Sequence, residues 1–165
     1  MKGELDKIKD IHKMVSEFSF GAYLGNGCYG HGDDEQLVSD YSMQSPRQVL
    51  ESRQGTCIDI AGCVKYLLDR EGIRNFAVYG IYDDGSEFPP NHCFNVAFVD
   101  GRMYLVDASD GVDVSEYGSL DDVKRFYSGR HPELKGAVFH RLDSFPPAGS
   151  SFWNFVEYAD GCREI

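Results

Sequence analysis

The chain has 165 residues, 42% hydrophobic and 13% aromatic, which fits one domain (1–165) around a sizeable core and excludes a disordered chain. Its net charge of −11 and pI near 4.7 argue against nucleic-acid and anionic-membrane partners, which need concentrated Lys and Arg. No stretch approaches the roughly 20 apolar residues of a membrane span, and the charged start MKGELDKIKD lacks the apolar core of a signal peptide, so a cytoplasmic location is expected. In such a reducing compartment five cysteines without a pairing rhythm are expected as free thiols.

In chain order, Leu5, Ile8, Ile11, Val15 and Phe18 recur at helical spacing and predict an amphipathic first helix, with His12 at the edge of its apolar stripe in a structural role. Phe20 to Glu35 carries five glycines and predicts a loop. Within it Cys28-x-x-His31 has the spacing of half a zinc site, but no second pair matches it, so no metal is expected. SPRQVLES predicts a short helix with Ser45 as N-cap and Pro46 at the first helical position.

A longer helix is predicted from about Cys57 to Glu71. Thr56 caps it, Asp59 completes a capping-box-like pair, and Gly72 suits the left-handed position beyond its end. Cys57, Ala61, Val64 and Leu68 form one stripe, widened by Ile60 and Leu67, so this helix is expected to be central and largely buried. Asn75 to Tyr82, His92 to Val99 and Arg102 to Ser109 read as strands, the last two joined by an Asp100-Gly101 hairpin turn. A helix over about Ser119 to Tyr127 and two apolar strand-like runs, KGAVFHR and SFWNFVEYA, complete an α+β order with an antiparallel sheet.

The two-residue turn pairs Val99 with Arg102, so His92, Phe94, Asp107 and Ser109 share one face, with His92 and Asp107 as diagonal neighbours. Such positions sit roughly 7–8 Å apart at the backbone, within reach of long side chains. A carboxylate there accepts from the imidazole and fixes its tautomer. A cysteine in the first turn of a helix has its thiolate favoured by unpaired N–H groups and the helix dipole, and a neighbouring imidazolium adds to this. Of the five cysteines only Cys57 has that setting. Cys63 is mid-helix, Cys93 points away from the His92 face, and Cys28 and Cys162 lie in loop or terminal segments; Asp59 opposes a thiolate at Cys57.

SPRQVLESRQGTCIDIAGCVKYLLDREGI followed by NHCFNVAFVDGRMYLVDAS resembles the transglutaminase-like superfamily of papain-fold cysteine enzymes, over residues 41 to 110. The match lies in Gly55-Thr56-Cys57 opening the helix, Leu67-Leu68 through Gly72-Ile73 closing it, His92 opening a strand and Asp107 ending the next. The resemblance implies a papain-like core, with a Cys-bearing helix packed on an antiparallel sheet. It also implies acyl transfer through a thioester on a protein, peptide or other amide substrate, with Cys57, His92 and Asp107 as triad and no cofactor. Hydrolysis is expected over transfer to an amine. The family draws an oxyanion donor from an aromatic or amide side chain upstream of Cys, for which Tyr23, Tyr29, Gln44 and Gln54 are candidates. The rival readings are a non-catalytic interaction domain of the same fold and a metal site on Cys28 and His31.

Overall fold

The computed structural model describes residues 2–31 and 34–165. Helix α1 (Glu4–Ser16) buries Ile8 and Val15 against the rest of the chain and stops before Phe18, with the Glu17 N–H turned back onto the Met14 carbonyl and the Phe18 N–H onto that of Val15. The predicted glycine-rich loop is more ordered than its composition suggests. β1 (Ser19–Phe20), β2 (Ala22–Tyr23) and β3 (Tyr29–Gly30) precede a short α2 (Asp34–Ser39), with β2 and β3 pairing antiparallel. Gly32 and Asp33 of that loop lie outside the described residues. α3 (Pro46–Ser52) has the expected Ser45 cap, closed into a reciprocal capping box by Gln48. β4 (Gln54–Gly55) then runs parallel to β1.

α4 (Cys57–Arg70) begins and ends as its sequence predicts. Thr56 and Asp59 form a capping box. At the other end Gly72 takes φ +70°, its N–H reaches the Asp69 carbonyl and Ile73 N–H reaches Leu68, the pair of bonds of a Schellman motif. β5 (Asn75–Ile81), β6 (Asn91–Val99), β7 (Arg102–Val106), β8 (Ser115–Tyr117), α5 (Leu120–Arg130), β9 (Val138–Leu142), α6 (Phe152–Asp160) and β10 (Arg163–Glu164) follow.

SFWNFVEYA is helical, not the strand its aromatic content predicts. Ser151 caps the Asn154 N–H, and Phe152, Phe155 and Ala159 bury one face while Trp153 stays in solvent. Helical spacing with a serine cap outweighs the β-preference of aromatic residues, which is context-dependent. The strand predicted over Arg102–Ser109 also ends early, at Val106. The Asp107 carboxylate accepts the Ser109 N–H and hydroxyl, both at 3.1 Å, and this local turn replaces the ladder.

The six-stranded sheet has the order β10-β9-β5-β6-β7-β8, antiparallel throughout, so the fold is α+β. The β6–β7 register runs from Val99 opposite Arg102 to Asn95 opposite Val106, the pairing that the Asp100-Gly101 turn implies. Ala77, Tyr79, Cys93 and Ala97 face α4 and α6, while Val78, Phe94, Val96 and Leu105 face α5 through Val123 and Tyr127. Asn95, 1% exposed, donates across to the Ala61 carbonyl at 3.0 Å and fixes α4 to β6. That bond, with the packing of Cys63 and Val64, sets the N-terminus of α4 beside the end of β6 where His92 lies.

Candidate active site

The first turn of α4 is built around a buried carboxylate. Asp59 Oδ1 accepts from the Tyr41 hydroxyl at 2.7 Å and the Gln44 N–H at 2.9 Å; Oδ2 accepts from the Thr56 N–H at 3.0 Å and hydroxyl at 3.1 Å. Gly55 is required beside it, since a Cβ there would lie 2.8 Å from the Asp59 Cβ. Burial raises the Asp59 pKa against these four donors. The charge that the sequence sets against a thiolate is thus engaged in a network that fixes residues 56–59.

His92 and Asp107 meet as the hairpin register requires. His92 Nε2 lies 2.6 Å from Asp107 Oδ2, which also accepts from the Tyr127 hydroxyl. The Asp107 side chain is 1% exposed, and Ser109 occupies its second oxygen. Burial alone would raise the Asp107 pKa, but its bond to His92 and the imidazole charge, helped by Tyr127 and Ser109, bring it below the usual value. For His92, burial opposes the charged form; hydrogen bonds to Asp107 and Cys57 overcome this and raise its pKa to about 10. Since Nε2 is engaged by Asp107, Nδ1 is the ring nitrogen left for Cys57.

The other thiols are set apart. Burial pushes the Cys63 pKa up to about 12, and burial followed by the charges of Cys57 and Asp107 pushes that of Cys93 well above its ordinary value. Cys28 is exposed, its thiol directed at the Asn26 carbonyl, while His31 Nδ1 faces the Phe20 carbonyl. These two residues do not form a cluster of ligands among the described residues; the one such group is His92, Asp107 and Asp110, whose donor atoms lie within 4.8 Å of one another. Asp110 is itself bonded to Arg130 Nε at 2.8 Å and His131 Nε2 at 2.7 Å.

Cys57 and His92 open on a cavity of about 400 Å³. Phe20, Leu37, Ile58, Phe88, Pro90 and Phe152 form its apolar wall, and Asp34, Asp110 and Glu133 carry charge to it. The four upstream oxyanion candidates do not line it. Gln44 Nε2 donates to the Gln54 carbonyl at 2.9 Å while its Oε1 accepts from Tyr29 and Ser52. Tyr23 OH accepts from Gly27, and the Gln54 side chain lies against Gly21. Tyr41, from the same upstream region, does line the cavity, with its hydroxyl given to Asp59.

Sequence reasoning missed Tyr127, whose ring stacks on Phe94 at 4.3 Å while its hydroxyl bonds Asp107, because α5 reads only as an amphipathic helix. His12 has the structural role expected of it. Nε2 of that ring lies 2.6 Å from the Val112 carbonyl and 3.2 Å from that of Asp107, tying α1 to the turn behind the site.

No protein-family model and no curated protein matches the chain. Solved structures do. Calcium-bound LapG of Legionella pneumophila aligns over 94% of this chain and 78% of its own, at 13% identity and a TM-score of 0.54. A second Legionella pneumophila LapG structure aligns over 70% of this chain at 12% identity and a TM-score of 0.48. A Cytophaga hutchinsonii protein described as a "Putative Cysteine Protease" aligns over 68% at 17% identity and a TM-score of 0.40. The chain spans 59% and 34% of the lengths of these last two. At such identities the likeness is one of fold, and it rests on the calcium-bound LapG chain.

Proposed function

We propose that this chain is a transglutaminase-like, papain-related cysteine hydrolase of peptide or other amide bonds. The observation that carries the reading is the contact of Cys57, at the first position of α4, with a His92 ring whose other nitrogen is 2.6 Å from a buried carboxylate, beside a cavity large enough for a substrate segment. The fold shared with LapG supports it.

In this mechanism the Cys57 thiol passes its proton to His92 and the sulfur attacks the amide carbonyl. The Cys57 N–H, first in its helix and without an acceptor among the described residues, donates to the developing oxyanion. His92 returns the proton to the leaving amine, leaving a thioester on Cys57. Water, deprotonated by His92, then releases the acid. Asp107 holds the ring and offsets the imidazolium charge.

Cys57→Ser tests the reading on a fluorescent peptide library, read as turnover and thermal midpoint. Turnover falls by about 10³ or more while the midpoint changes little, because Ser is well tolerated at a helix N-terminus. Unchanged turnover refutes a cysteine enzyme. A collapsed midpoint makes Cys57 a packing residue, and a parent that turns over nothing while binding a partner makes the chain an interaction domain.

A further inference from the structure

The cavity beside Cys57 has two unlike walls. The apolar one belongs to the Cys57 side. Cys57 packs on the cluster that holds Leu37, Tyr41, Ile58 and Phe152, and Phe88 packs on the same cluster with its ring 4.9 Å from that of Phe152. The charged wall belongs to the His92 side. The His131 ring, its centroid 5.7 Å from that of His92, engages Asp110 at 2.7 Å and Glu133 at 3.1 Å. An Asp110 carboxylate oxygen lies within 4.8 Å of a His92 ring nitrogen. In the proposed reaction the leaving amine must come within hydrogen-bond reach of His92 to take its proton, so the chain beyond the scissile bond runs off over the charged wall. The acyl part stays on the sulfur as a thioester, which leaves it against the apolar wall.

The apolar wall is open toward the cavity. Leu37, Ile58 and Phe152 are buried and form its floor, but Phe88 is half-buried and Phe20 is 52% exposed, the most of any large hydrophobic side chain among the described residues. Phe20 does not hang there loosely. The N–H groups on either side of it, of Ser19 and Gly21, donate to the Arg53 and Gly55 carbonyls at 3.0 and 3.2 Å, on the strand that leads into Cys57. An aromatic ring fixed in that position leaves apolar area in water that a bound apolar side chain would cover. A cavity of about 400 Å³ has room for such a side chain and its main chain. No lysine or arginine lines it among the described residues, so an acidic side chain would be desolvated there without a partner.

We infer that the chain selects peptides with a large apolar side chain on the acyl side of the scissile bond, held between Phe20, Phe88 and the floor of Leu37, Ile58 and Phe152. The inference rests on the reading of Cys57 as nucleophile and names the substrate class of that site. Phe20 is then a specificity-determining residue that touches no reacting atom.

Peptidyl chloromethyl ketones test it, since they carry an acyl side and no leaving amine. The Cys57 sulfur displaces chloride and is left as a thioether. Two series, acetyl-X-chloromethyl ketone and acetyl-X-Gly-chloromethyl ketone, take Phe, Leu, Ala, Lys or Glu as X. Rates are divided by those toward free glutathione, and the labelled cysteine is mapped by mass spectrometry. In at least one series the Phe and Leu compounds label Cys57 about 30-fold faster than the Ala compound, the worth of burying one large side chain, and the Glu compound is slowest. Phe20→Ala, at an exposed position, changes the thermal midpoint little and cuts the Phe-to-Ala ratio about threefold or more. Phe and Ala rates within about threefold of each other in both series overturn the inference. So does a Lys compound that reacts fastest, which would give the selection to Asp34, or a ratio unchanged in Phe20→Ala. A Cys57 that iodoacetamide alkylates and none of these compounds labels overturns it as well. If both series are flat while Cys57→Ser has lost turnover, only this inference falls. If another cysteine takes the label, the nucleophile reading falls and this inference with it.

Discussion

Two buried carboxylates flank the site, and they differ in one neighbour. Asp59 beneath Cys57 and Asp107 behind His92 are 2% and 1% exposed, and each accepts four hydrogen bonds from a tyrosine hydroxyl, a β-hydroxyl and nitrogen donors. Yet the Asp59 pKa moves up and the Asp107 pKa moves down. All four donors on Asp59 are neutral, and burial wins. One donor on Asp107 is an imidazole, and its charge reverses the outcome. The same burial and the same number of bonds thus make one carboxylate a structural bracket and the other an electrostatic partner.

Asp107→Asn strikes at that difference and carries the largest effect. The side chain keeps its shape but cannot offset an imidazolium, and its amide can hold the ring in the wrong tautomer. Turnover falls by about 10³–10⁴. The stability lost has a pH signature. A carboxylate with a lowered pKa contributes stability above its unfolded value of 3.8 and loses it as pH falls through the folded value. The His92 part, from a pKa raised to about 10, is complete below 6.5 and is lost as pH rises toward 10. The gap in thermal midpoint between parent and variant is therefore widest between about pH 4 and 6.5. A gap that widens steadily on acidification contradicts the imidazole as the deciding neighbour.

Asp59→Asn reverses the pattern, with a large loss of stability and a small one of rate. One oxygen becomes an N–H₂ facing donors, leaving two of them stranded in a dry site, which costs about 3 kcal/mol. A raised carboxylate pKa means that acid favours the folded parent, so the parent's advantage grows as pH falls toward 3.8. Turnover per folded molecule stays within about tenfold, because Asp59 positions the turn and touches no reacting atom. A rate loss as deep as that of Asp107→Asn would erase the distinction between bracket and partner.

Much of this was legible in the sequence, and unevenly so. The ends of α4 follow from Thr56, Asp59 and Gly72 because capping is a local matter of side chain and backbone. The face shared by His92 and Asp107 follows from a two-residue turn, since strand parity then leaves no freedom. Tyr127 was out of reach, because its bond to Asp107 spans 20 residues and depends on which sheet face α5 covers. The four donors to Asp59 were half legible. Thr56 is the local capping partner, but Tyr41 and Gln44 arrive from 18 and 15 residues away. The fate of SFWNFVEYA turned on competition between periodicity and β-preference, which only the packing of Phe152 and Phe155 on the sheet decides.

Tyr127→Phe gives the smallest effect and probes the comparison most finely. It removes a neutral donor from Asp107 and leaves the imidazole in place. The ring keeps its stack on Phe94, its contact with His92 at 5.4 Å and its edge-on contact with Phe126. Asp107 Oδ2 still accepts from His92, and its other oxygen still accepts from Ser109. The cost to stability is thus that of one hydrogen bond to a charged group, about 1.5–3 kcal/mol at most. The carboxylate, with one donor fewer, becomes the stronger acceptor for His92, so the imidazolium is held more firmly. In the proposed mechanism His92 must give its proton to the leaving amine, and the alkaline limb of the rate profile follows that proton. The limb accordingly moves to higher pH in Tyr127→Phe, and turnover at neutral pH falls several-fold. Acid melting separates the two contributions. If the imidazole decides the sign, the Asp107 pKa stays below 3.8 in the variant, and the parent and Tyr127→Phe lose stability over the same acid range. If the variant instead gains stability on acidification, as a buried carboxylate with only neutral donors does, then the Tyr127 hydroxyl, not the imidazole, was what set Asp107 apart from Asp59.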